Sequence, residues 1–147
     1  MNLGKQLDKT RQIFLDTAPV IYFVEKHPDF APKAQEVFDR LDDGKMVAVV
    51  SPITLAECLV LPYKQNNAEI VETFTELLAN GESVLFHSID DSVADKAASL
   101  RARYNLSLTD AFQFAVAIQT NCDAFLTNDI ALKRVTEISV IVLAEAD

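Results

Sequence analysis

The apolar residues of this chain are arranged in two ways, as short unbroken runs and as longer stretches with helical spacing. The runs are "QIFLD" (12–16), "MVAVV" (46–50), "SVLFHSI" (83–89), "DAFLTN" (123–128) and "ISVIVL" (138–143). Unbroken runs of this length are expected of strands covered on both faces. Between them the period changes to that of a helix. "PVIYFVE" reads as a helix opened by Pro19. Phe30, Ala34, Val37, Phe38 and Leu41 mark a second helix, closed at Gly44. Ser51-Pro52 reads as an N-cap followed by Pro at the first helical position, opening "ITLAECLVL". Ile70, Val71, Phe74, Leu77 and Leu78 mark another, ending near Asn80-Gly81, and Val93, Ala97, Leu100 and Tyr104 the next. "LTDAFQFAVAIQ" (108–119) is apolar almost all round, which predicts a central, buried helix.

Strands separated by helices predict an α/β fold: a single-domain three-layer α/β/α arrangement around a mostly parallel sheet of about five strands. Residues 1–11 read as a polar N-terminal lead-in to one domain spanning 1–147. No repeat or linker divides the chain, and the most polar connector, "KQNNAE" (64–69), is too short to be a boundary.

Composition narrows the chemistry. Half of the 147 residues are hydrophobic, which excludes a disordered chain. No apolar run approaches the ~18 residues of a membrane span, and "MNLGKQLDKTRQ" lacks the apolar core of a signal peptide. The expectation is a cytoplasmic protein with no membrane partner. Two cysteines, Cys58 and Cys122, fit a reducing compartment; with only two histidines, a sulfur–imidazole zinc site is not expected. Three glycines and no GxxxxGK[ST] or GxGxxG argue against a phosphate-cradling nucleotide site. The net charge of −9 opposes broad attraction to nucleic acid. Lys33, Arg40, Lys45, Arg101, Arg103, Lys133 and Arg134 could still form a local basic track against that overall balance.

Four acids stand out by position. Asp16 ends the first predicted strand, and Asp129 follows the strand "AFLTN". Glu57 shares an apolar helix face with Ile53 and Leu61, and Asp110 opens the most apolar helix. In parallel α/β sheets ligands gather at the carboxyl ends of strands, so all four acids have a route to one end of the sheet. Each also has a purely structural reading. Asp16 is a candidate N-cap, Asp110 completes a capping box with Ser107, Asp129 suits the positive end of a short helix, and Glu57 suits an exposed helix face. Tyr22, Phe23 and Tyr63 are read as packing residues before base-stacking ones.

Taken in order, "FLDTAPVIYFVE", "SPITLAECLV", "LSLTDAFQFAVAI" and "AFLTND" resemble the PIN-domain family, most closely the small bacterial VapC-type toxins. The resemblance covers nearly the whole chain. It implies a metal-dependent endoribonuclease, the toxin of a type II toxin–antitoxin pair, using Mg²⁺ or Mn²⁺. It maps the acidic positions onto Asp16, Glu57, Asp110 and Asp129, and the hydroxyl of the T-x-D element onto Thr127. Asp16 and Asp129 are then direct metal ligands, Asp110 a direct or water-mediated one, and Glu57 the residue that positions the attacking water. It also implies an RNA substrate, a cognate antitoxin and a homodimer, for which the segments Val20–Val24 and Leu59–Tyr63 offer apolar surface. A DNA-directed nuclease or phosphatase with the same acidic site, or a non-catalytic interaction domain, are the alternatives.

Overall fold

Alternate residues of the central strands enter two separate cores. A computed structural model of the chain describes residues 2–147. Its five strands, β1 (Gln12–Leu15), β2 (Val47–Val50), β3 (Val84–Phe86), β4 (Ala124–Thr127) and β5 (Ser139–Val142), form one parallel sheet in the order β3-β2-β1-β4-β5. Ile13 and Leu15 of β1, with Ala48, Val50, Ala124 and Leu126, face one core; Phe14, Val49 and Phe125 face the other. Both faces of these central strands are therefore apolar, which is why they read as unbroken runs; the edge strand β3 leaves Leu85 and Phe86 exposed instead.

The helices are α1 (Leu3–Asp8), α2 (Thr17–Glu25), α3 (Ala31–Asp42), α4 (Pro52–Lys64), α5 (Ala68–Asn80), α6 (Asp91–Tyr104) and α7 (Leu108–Gln119). Helices α1 to α5 cover the first face, α6 and α7 the second. The three-layer architecture predicted from the sequence is thus the one observed. On the second face Phe114 of α7 stacks on Phe125 with ring centroids 3.9 Å apart, and Phe125 stacks on Phe14 at 5.2 Å. Fully burying such a ring stabilises the fold by about 2 kcal/mol.

Two sequence expectations need correction. The segment 1–11 is more than a lead-in: it carries α1, capped by the Asn2 side chain, with Leu3 and Leu7 buried in the first core. Their i, i+4 spacing puts both on one face despite the polar composition. Helix α2 begins at Thr17, two residues before Pro19, because Asp16 serves as its N-cap. The Ser51-Pro52 start of α4 is as expected, with a reciprocal capping box between Ser51 and Thr54.

Strand order fixes where a ligand would bind. From β1 the chain moves outward to β2 and β3, then returns to place β4 on the other side of β1. The crevice at the carboxyl ends of β1 and β4 is the switch point of such a sheet.

Candidate active site

Asp16 sits at that switch point. Its backbone N–H extends the β1–β4 ladder to the Leu126 carbonyl at 2.9 Å. Its carboxylate does two things at once. Oδ1 accepts from the Thr17 N–H at 2.9 Å, capping α2, and Oδ2 accepts from the buried Thr127 hydroxyl at 2.7 Å. The Thr127 oxygen in turn accepts from the Asp129 N–H at 3.1 Å, so the two strand ends are joined through one hydroxyl.

The electrostatics oppose the charge on this carboxylate. Burial raises the Asp16 pKa; the hydrogen bonds from Thr127 and Thr17 lower it, and the nearby Asp110 and Glu57 carboxylates raise it again, to about 6. The structure therefore brings Asp16, Glu57 and Asp110 within electrostatic reach of one another. Asp129 is joined to them through Thr127, but its own Oδ1 accepts from the Ala131 N–H at 3.0 Å and caps a short 3-10 turn, Ile130–Arg134. Among the described residues, no ion pair includes any of these four acids. Among the same residues, no three His, Cys, Asp or Glu side chains converge closely enough to enclose an ion in this arrangement.

Asp110 is half-buried at the third position of α7. Ser107 Oγ caps that helix by accepting from the Asp110 N–H at 3.2 Å, so the cap uses the backbone of Asp110 and leaves its carboxylate to the site. This separates two roles by mutation. Ser107→Ala should destabilise the metal-free protein by about 1 kcal/mol. Asp110→Ala relieves repulsion on Asp16 and should leave metal-free stability equal or higher in thermal melts. Mn²⁺ should then raise the wild-type melting temperature more than that of Asp110→Ala.

Two residues at the site escaped the sequence reading. Thr17 donates from Oγ1 to Glu57 Oε1 at 2.7 Å, holding the exposed glutamate of α4 beside the start of α2. A hydroxyl directly after the strand-ending acid was the available signal. Asn128 uses both ends of its amide, donating to the Tyr22 hydroxyl at 3.0 Å and accepting from the Ala144 N–H at 2.8 Å. It pins the backbone between Thr127 and Asp129. Tyr22 and Phe23 stack on Phe30 and Phe38 and pack against the first core, whereas Tyr63 is exposed. Cys58 lies buried beside the site, its thiol pushed up to about 12 by burial and by the Glu57, Asp16 and Glu25 carboxylates, so it is an inert packing residue.

The basic track expected from the sequence does not form. Lys33 and Arg40 lie on α3 and Arg101 and Arg103 on α6, across the sheet from each other. Arg40 pairs with Asp8 and Glu36, Arg103 with Glu137, and Lys133 with Glu145. Lys33, Arg101 and Arg134 hold backbone carbonyls.

The PIN domain family profile matches residues 13–138, from the first residue of β1's buried stretch to the approach of β5. The chain belongs to the PIN domain family. Solved structures share its fold at low identity. VapBC-1 from nontypeable Haemophilus influenzae matches with TM-score 0.69 and 17% identity, over 91% of this chain and 99% of that one. FitAcB from Neisseria gonorrhoeae matches with TM-score 0.66 and 20% identity, over 90% and 99%. VapC20 from Mycobacterium tuberculosis, described as a sarcin–ricin loop cleaving toxin, matches with TM-score 0.66 and 18% identity, over 86% and 98%. No curated protein sequence matches the chain significantly.

Proposed function

We propose that this PIN protein is a metal-dependent endoribonuclease, the toxin of a type II toxin–antitoxin pair, which hydrolyses RNA phosphodiester bonds in the cytoplasm. The observation that carries the reading is the state of Asp16. A half-buried carboxylate at the switch point is crowded by two others and has no cationic side chain paired with it among the described residues. Such a set is stable in its ionised form when a cation joins it.

The donors fit a hard divalent ion, because all of them are carboxylate or hydroxyl oxygens. Asp16, Asp110 and Asp129 would hold Mg²⁺ or Mn²⁺, which when bound supplies an acidified water and stabilises negative charge on phosphate. The chain's own residues do the rest. Thr127 fixes the orientation of Asp16, and Thr17 fixes that of Glu57. Glu57 then orients the attacking water and takes its proton.

The family supports the reading, since PIN domains are generally nucleases. One structural neighbour, from Klebsiella pneumoniae, is described as a toxin–antitoxin complex, and another as a sarcin–ricin loop cleaving toxin. These support an RNA substrate and a cognate antitoxin. The free cysteines suit a reducing compartment, and no helix among the described residues is long and apolar enough to cross a membrane.

A homodimer is part of the proposal. Val20–Val24 packs mostly inward, with Val20 fully buried, which leaves α4 as the apolar surface through Val60, Leu61 and Tyr63. Light scattering at micromolar concentration should return the mass of a dimer, and a monomer would remove this part of the reading.

RNA from the source cell and a matched DNA are the deciding substrates. RNA should be cut with Mg²⁺ or Mn²⁺ and left intact with EDTA, and DNA should survive. Preferential DNA cleavage would make the protein a DNA nuclease. Cleavage of neither, by a protein that binds Mn²⁺, would make it an interaction domain.

A further inference from the structure

Three elements carry Asp16, Glu57 and Asp110, and two buried side chains, Gln113 and Thr54, tie those elements together. Gln113 of α7 is 1% exposed. Its Oε1 accepts from the Ser51 hydroxyl, and its Nε2 donates to Thr54 Oγ1 at 2.8 Å. The Thr54 hydroxyl, itself fully buried, also accepts from the Ser51 N–H and donates to the Leu15 carbonyl, both at 3.4 Å. That exhausts the donor and acceptor capacity of the hydroxyl.

The members of this network stand next to the acids in sequence and on the same helical faces. Gln113 is one turn from Asp110 on α7, Thr54 is one turn from Glu57 on α4, and Leu15 immediately precedes Asp16. The network therefore joins the three acid-bearing elements, α7, α4 and β1, at a point where no water is needed to complete it; among the described residues no buried side-chain polar atom lacks a partner. Asp110 and Glu57 both disfavour the charge on Asp16, so ionisation of that carboxylate would push these elements apart. Hydrogen bonds in a dry interior are directional and costly to break, so they resist that push.

We infer that Gln113 is a positioning residue, which through Thr54 sets the spacing of Asp110 against Glu57 and Asp16 and so tunes the affinity of the site for a divalent cation. This rests on the metal-site reading above. Residues that orient metal ligands from behind typically carry ten- to a hundredfold of metal affinity.

The test is Mn²⁺ binding by titration calorimetry, which needs no RNA and no turnover. Gln113→Leu keeps the volume and removes both amide contacts; its Mn²⁺ Kd should rise about tenfold or more. Thr54→Val breaks the same network from α4 and should give a similar loss, and the double variant should be little worse than either single one. Val116→Ala, buried on α7 outside the network, should melt earlier yet bind Mn²⁺ like the wild type. Wild-type affinity in Gln113→Leu or Thr54→Val overturns the inference, as does an equal loss in Val116→Ala. If Gln113→Leu fails to fold, Thr54→Val against Val116→Ala decides. A wild type that binds no Mn²⁺ removes the metal reading and this inference with it, whereas tight binding in both wild type and Gln113→Leu removes the inference alone.

Discussion

Asp16→Asn is expected to abolish RNA cleavage, lowering it by more than about a hundredfold, while the protein stays folded. The estimate starts from groups that only orient metal ligands, whose loss costs ten- to a hundredfold; a direct ligand should cost more. The substitution is chosen because it separates the two roles that Asp16 combines. Asparagine is nearly the same size and its Oδ1 still accepts from the Thr17 N–H, so the cap on α2 is retained. The Thr127 hydroxyl, which now donates to Oδ2, can turn to accept from the new amide. What disappears is the negative charge, and with it most of the attraction for a hard cation. Cleavage and far-ultraviolet circular dichroism measured on the same preparation check the result. Full activity in the folded variant would reduce Asp16 to a helix cap.

The second large effect is on stability. Asp16 binds its proton at about pH 6 when folded, against 3.8 for the ordinary carboxyl of an unfolded chain. Between those values the folded state holds the extra proton, so stability falls as pH rises from about 4 to about 6 and levels off above. The contribution amounts to about 3 kcal/mol at most. Other carboxylates titrate in the same range, so the measurement is the difference between wild type and Asp16→Asn in metal-free thermal melts. The wild type should lose stability relative to the variant across this window. Saturating Mn²⁺ should remove the difference in slope, because a bound cation favours the ionised carboxylate. Parallel pH profiles in the metal-free proteins would mean that Asp16 is not under electrostatic pressure.

How much of this was legible beforehand depended on whether the signal was local. The central strands β1, β2 and β4 are covered on both faces, so their apolar runs were plain, and Ser51-Pro52 marked the start of α4 to the residue. Only Val84–Phe86 of "SVLFHSI" pairs as a strand, because β3 lies at the sheet edge and has β2 alone as a neighbour. Helix α1 was hidden by its composition, since two leucines are all it buries. The basic residues were misjudged because their partners, such as Glu137 for Arg103, are distant in sequence.

The site shows the same division. Asp16 was visible as an acid closing an apolar run, and it has both a capping bond and a place at the switch point. Its crowding by Asp110 and Glu57 depends on strand order, which no local pattern encodes. Gln113 is hidden for a different reason: it lies inside a helix that reads as apolar almost all round. A lone amide among Phe112, Phe114 and Ala115 is a buried polar group that must find partners, and that was the signal to follow.

The central claim is that the acids at the carboxyl ends of β1 and β4 form one cation site. Crystals of the protein soaked in Mn²⁺ and measured for anomalous scattering test it most directly. The account predicts a peak within coordination distance of the Asp16 carboxylate and of at least one of Asp110 and Asp129, lost in crystals of Asp16→Asn. Manganese found only elsewhere on the surface, with Asp16 unligated, would contradict it.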